Sequence, residues 1–64
     1  MSKKVIYYVG FIYDRNIIDA DFNDPIYSKV YAYCREQAKK GTFFACVIWS
    51  NKGTAIVIKK HHLI

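Results

Sequence analysis

The chain has 64 residues, of which 53% are hydrophobic and 17% aromatic, and its formal net charge is +5. This apolar content excludes a disordered chain, and the length allows one domain (1–64) near the lower size limit for a core that is stable without disulfides, metal or a partner. The apolar runs are far shorter than the roughly 20 residues that span a bilayer, so we expect no membrane segment. Only two cysteines are present, which favours a cytoplasmic protein over a disulfide-rich secreted one.

The first part of the chain predicts a strand, a turn and a short second strand. Residues 4–13 are rich in Val, Ile, Tyr and Phe, with Gly10 as a bulge or close-packing point. Asp14, Arg15 and Asn16 are typical of a turn, and residues 18–22 then alternate between apolar and polar. A three-residue loop here would pair Ile18, Ala20 and Phe22 with Ile12, Gly10 and Tyr8. An irregular loop is the alternative.

A helix is predicted over residues 25–40. Asp24 can cap its first turn, and Pro25 suits the first helical position, where no backbone N–H is needed. Gly41 predicts a left-handed cap after the last turn. Helical spacing puts one set of residues on a common apolar face: Tyr27, Val30, Tyr31, Cys34 and Ala38. The polar side carries Lys29, Tyr33, Glu36 and Lys40.

Residues 43–50 and 54–60 predict two strands joined by Asn51, Lys52 and Gly53, a loop whose glycine suits a left-handed position. In this register Trp49 pairs with Ala55, and both faces of the hairpin are apolar. We expect the helix to cover the face with the larger residues, which is made of Phe44, Cys46, Ile48, Ile56 and Ile58. The face away from the helix then consists of Phe43, Ala45, Val47, Trp49, Ala55 and Val57.

These elements predict a small α+β fold of the type β-(β)-α-β-β, in which a single helix packs on a three- or four-stranded, mainly antiparallel sheet. One helix covers only one face of a sheet. We therefore expect the second apolar face to be covered by self-association in a homodimer or by a protein partner, and this face is the predicted interface.

No catalytic, cofactor-binding or metal site is predicted. Cys34, Cys46, His61 and His62 lack the closely spaced ligand pair of a structural zinc site, so we interpret the cysteines as small buried hydrophobes. For the two histidines we expect a frayed basic tail. The function predicted is a non-enzymatic interaction module, a homodimer that binds another macromolecule as a regulator or inhibitor.

The alternative is a small basic nucleic-acid-binding protein. Residues 25–64 carry a net charge of +6, whereas residues 14–24 carry −3. Phosphates and bases, or an acidic protein partner, would be contacted by Lys29, Tyr33, Arg35, Lys39, Lys40, Lys52, Lys59 and Lys60. Against this function, the sequence has only two arginines and no motif of the known DNA- or RNA-binding modules.

Overall fold

A four-stranded antiparallel sheet with one long helix on one face forms the structure, a computed structural model that describes residues 4–63. The elements in chain order are β1 (Tyr7–Tyr13), β2 (Asn16–Asp24), α1 (Tyr27–Lys40), β3 (Ala45–Ser50), β4 (Ala55–Lys59) and the short α2 (Lys60–Leu63). The strand order is β2-β1-β3-β4, and each neighbouring pair is antiparallel. The predicted α+β architecture is therefore confirmed, in its four-stranded form.

The hydrophobic core lies between α1 and one face of the sheet. Its buried residues are Val9, Phe11, Val30, Cys34, Ala38, Phe43, Cys46, Ile48 and Leu63. Val30, Cys34 and Ala38 belong to the predicted apolar face of the helix, which is thus confirmed. Burial of one large apolar side chain contributes about 1.5–3 kcal/mol, so a core with so few large residues leaves a small margin of stability.

The β3–β4 hairpin has the predicted register. Trp49 lies opposite Ala55, and Val47 lies opposite Val57. Gly53 has a φ of 94°, the conformation for which glycine was expected in this loop. The predicted choice of faces is also correct, because Cys46 and Ile48 are buried on the helix side of the sheet.

The turn between β1 and β2 is tighter than predicted. Tyr13 pairs with Asn16, which leaves a two-residue loop whose first residue, Asp14, has a φ of 50°. Ile18 therefore lies opposite Phe11, and the predicted pairing of Ile18 with Ile12 is wrong. A shift of one residue exchanges the two faces of a strand. As a consequence, the alternating apolar residues of β2 face the helix.

The helix begins later and ends differently from the prediction. Asp24 accepts a hydrogen bond from the backbone N–H of Ile26 at 2.8 Å, and α1 starts after Ile26. Gly41 has a φ of −92° and an extended conformation, so the predicted left-handed cap is wrong. Only residues 41–44 join α1 to β3, and an extended exit from the helix spans this connection.

Phe43 and Phe44 occupy places opposite to those predicted. Strand β3 begins at Ala45, so the alternation of the strand does not extend to these two residues. Phe43 is buried in the core, with its ring 4.6 Å from that of Phe11, whereas Phe44 is 75% exposed. The prediction that Phe43 lies on the face away from the helix is therefore wrong, as is the placement of Phe44 under the helix.

The C-terminal segment closes one end of the core. Leu63 is buried, and its carbonyl oxygen accepts a hydrogen bond from Nε of Arg35 at 3.3 Å. Nζ of Lys60 donates to the carbonyl oxygen of Gly41 at 2.5 Å. The expectation of a frayed tail at His61 and His62 is wrong, because both lie in the helical turn that delivers Leu63 to the core.

Replacement of Phe43 by Ala should lower the free energy of unfolding by about 3–5 kcal/mol, enough to unfold much of so small a domain, because it empties a buried site. The matched change Phe44→Ala should alter it by about 0.5 kcal/mol or less. Urea unfolding followed by circular dichroism measures both. Equal losses at the two positions would contradict the placement of these rings.

Candidate interaction surface

The sheet face away from α1, here called the open face, is assembled from alternate residues of all four strands. Cross-strand pairing aligns Gly10 with Asp19 of β2 and with Val47 of β3, and Val47 with Val57. The open face consists of Tyr8, Gly10, Ile12, Ile17, Asp19, Asp21, Asn23, Ala45, Val47, Trp49, Ala55, Val57 and Lys59. Of the six residues predicted for the interface, all but Phe43 lie on it.

Trp49 is the central feature of the open face. Its ring stacks on that of Tyr8, with centroids 6.1 Å apart and an interplanar angle of 22°. The ring also lies over Gly10, where an added Cβ would come within 2.9 Å of Cζ3 of Trp49. Because Gly10 has no Cβ, the indole can lie close to the backbone of β1. The register between β1 and β2 also shifts next to Gly10.

Apolar side chains remain exposed on both sides of Trp49. Ile17 on edge strand β2 is 62% exposed, and Val57 on edge strand β4 is 61% exposed. Between them, Tyr8, Ile12 and Val47 are half-buried. The open face thus carries apolar side chains on all four strands, and monomeric proteins rarely leave a large apolar surface in water.

Among the strand residues that form the open face, the charged side chains lie at its two edges. Asp19 and Asp21 stand on β2, and Lys59 stands on β4 at the opposite edge. The open face therefore has an apolar centre, an acidic edge and a basic edge. An apolar centre within a polar rim is the usual composition of a protein–protein interface.

The basic residues considered for nucleic-acid binding are spread over both sides of the sheet. Lys29, Arg35, Lys39 and Lys40 lie on α1, whereas Lys59 lies on the open face. Lys52 is in the β3–β4 turn, and Lys60 is in α2. Nζ of Lys39 is 3.8 Å from the carboxylate of Glu36. These basic side chains therefore do not all lie on one side of the sheet.

Tyr33 does not lie among the polar side chains of α1, as predicted, but packs on β2. Its ring is parallel to that of Phe22, with centroids 4.1 Å apart and an interplanar angle of 3°. One face of the tyrosine ring is thereby used within the chain, which weakens the case for stacking on a base. The alternation of apolar residues that ends at Phe22 could have indicated this contact. The predicted register, however, placed Phe22 opposite Tyr8, on the face away from α1.

Cys34 and Cys46 meet in the core, and both are fully buried free cysteines. Among residues 4–63, no three side chains of His, Cys, Asp or Glu form a group that could hold a metal ion. The same part of the chain encloses no pocket.

Comparisons of the chain with protein-family models, curated proteins and solved structures find no match. Within the described residues, no helix combines the length and the apolar character needed to cross a membrane. The open face is therefore the feature from which a function can be argued.

The substitution Gly10→Ala adds a Cβ that should displace the ring of Trp49. It should lower the free energy of unfolding by about 1–3 kcal/mol. In a Trp49→Val background the same change should be neutral or slightly stabilising, because the space is then empty and alanine restricts the unfolded chain. A double-mutant cycle by urea unfolding measures this coupling. An equal effect of Gly10→Ala in both backgrounds would contradict the close contact.

Proposed function

We propose that this chain is a non-enzymatic interaction module that uses the open face for binding and that its first partner is a second copy of itself. In this proposal the homodimer is the form that binds another macromolecule, as a regulator or inhibitor. The observation that carries the proposal is the exposed apolar surface around Trp49, on the side of the sheet that α1 leaves uncovered.

The size of the open face is compatible with a reversible dimer. Four strands make a face about 19 Å wide, and the six residues of β3 make it about 20 Å long. Specific interfaces bury about 800 Å² of accessible surface per partner, so a footprint of about 400 Å² lies below that class and corresponds to a weak, transient contact. We therefore expect dissociation on the order of tens to hundreds of micromolar.

The charges at the edges favour a second copy as the occupant. If the two-fold axis runs along the strands, β2 of each copy faces β4 of the other. The acidic edge with Asp19 and Asp21 then faces the basic edge with Lys59, twice in the symmetric dimer. A uniformly charged partner would find one of the two edges repulsive.

Adjacent residues on the edge strands give matched variants for the test. Ile17 and Ile18 are 62% and 55% exposed on opposite faces of β2, and Val57 and Ile56 are 61% and 48% exposed on opposite faces of β4. Each pair permits the same change, to lysine, on the open face and on the helix side of one strand.

Ile17→Lys and Val57→Lys should shift the chain to a monomer, because each places a charge on an exposed apolar position of the open face that the second copy would cover. Ile18→Lys and Ile56→Lys should keep the wild-type mass. Light scattering after gel filtration, from about 1 to 500 µM, measures the mass, and circular dichroism verifies folding. A wild-type chain that stays monomeric over this range, or a dimer that survives both open-face changes, would refute the proposal.

Nucleic-acid binding is the second candidate, favoured by the net charge of +5. A labelled single-stranded DNA and an RNA duplex, titrated at about 50 mM salt, distinguish it from the first. Our proposal predicts no saturable binding to either. Tight binding that weakens steeply with salt, and that Lys39→Glu or Lys52→Glu reduces, would favour the second candidate instead.

A further inference from the structure

The two cysteines of the chain are far apart in sequence and side by side in the fold. Sγ of Cys34, on α1, lies 2.6 Å from Sγ of Cys46, on β3, and neither residue is exposed to solvent. The packing of helix on sheet thus brings the two sulfurs into direct contact.

The surroundings of the thiols are those of a packed core. Cys46 lies between Phe11 of β1 and Ile58 of β4 in the sheet, and Cys34 comes from the buried face of α1. The hydrogen bond between the two thiols lowers the pKa of Cys34 and raises the pKa of Cys46, and burial opposes ionisation of both.

We propose that Cys34 and Cys46 form an oxidative cross-linking site, at which an intramolecular disulfide joins α1 to β3. A small-molecule disulfide, such as oxidised glutathione, is the class of oxidant. The Cys34 thiolate attacks one of its sulfurs and releases the first small thiolate. The Cys46 thiol then loses its proton and attacks the Cys34 sulfur of the mixed disulfide, which releases the second. The protein loses two electrons and two protons, and the oxidant becomes two thiols.

Two consequences follow from the location of this site. Because both thiols are buried, the oxidant reaches them only when α1 opens locally from the sheet, so the cross-link forms slowly and then holds the helix in place. Cys46 faces the helix side of the sheet, and the open face is unchanged by the bond. The cross-link is therefore independent of the proposed dimer.

The test is the equilibrium between the reduced and oxidised chain in glutathione buffers of varied composition. After acid quenching and alkylation of the remaining thiols, mass spectrometry counts the molecules that have lost two hydrogens. The folded chain should form the disulfide about 100-fold more favourably than the chain in guanidinium, since it already holds the loop between residues 34 and 46 closed. Since a disulfide that folding favours must stabilise the folded chain by the same free energy, the oxidised chain should melt about 10–20 °C higher than the reduced one.

The single variants Cys34→Ser and Cys46→Ser should show no loss of hydrogens, which assigns the signal to this pair. The wild-type comparison between folded and unfolded chain does not depend on whether these variants fold. The proposal is overturned if both thiols of the folded chain remain alkylatable at every buffer composition. It is also overturned if folding does not favour the disulfide, or if the disulfides that form join two chains.

Discussion

A single long helix packs on a sheet whose two faces are both apolar, and the rest of the structure depends on this imbalance. The face under α1 becomes a conventional core around Val9, Phe11 and Ile48. Within residues 4–63 no helix or strand covers the other face, and this face covers itself in part, as Trp49 lies across Gly10 and stacks on Tyr8. The exposed apolar side chains at both edge strands remain uncovered, and a second copy of the chain is the occupant that we propose for them.

Because one long helix covers the sheet, segments outside the sheet close the ends of the core. The ring of Phe43 and the side chain of Leu63 enter it from segments outside the sheet, and Arg35 holds the latter segment through a backbone carbonyl. These contacts use loop and terminal residues where a larger domain would use a second helix. Since small domains have little stability to spare, dimerisation and a cross-link between Cys34 and Cys46 would each stabilise the folded chain by mass action or by restriction of the unfolded state.

The sequence predicted much of what local chemistry determines, and failed at one tight turn and where distant parts of the chain decide. The β3–β4 register was correct because Gly53 defines the loop. The β1–β2 register was wrong because the loop length depended on a left-handed Asp14, which a pattern of turn-forming residues does not reveal. Three further contacts join residues that are distant in sequence and depend on how α1 packs on the sheet. They are the burial of Phe43, the stacking of Tyr33 on β2 and the contact between the two sulfurs. Five of the six predicted interface residues lie on the open face because strand alternation is a local rule.

Trp49 is the only tryptophan of the chain and lies at the centre of the open face, so its fluorescence reports on that surface alone. The most direct measurement combines acrylamide quenching of Trp49 with sedimentation equilibrium over the same range of protein concentrations. If the open face joins two copies, quenching should fall as the mass rises from 7.5 kDa to twice that value. A mass that stays at 7.5 kDa, or a mass that doubles while quenching stays constant, would contradict the account.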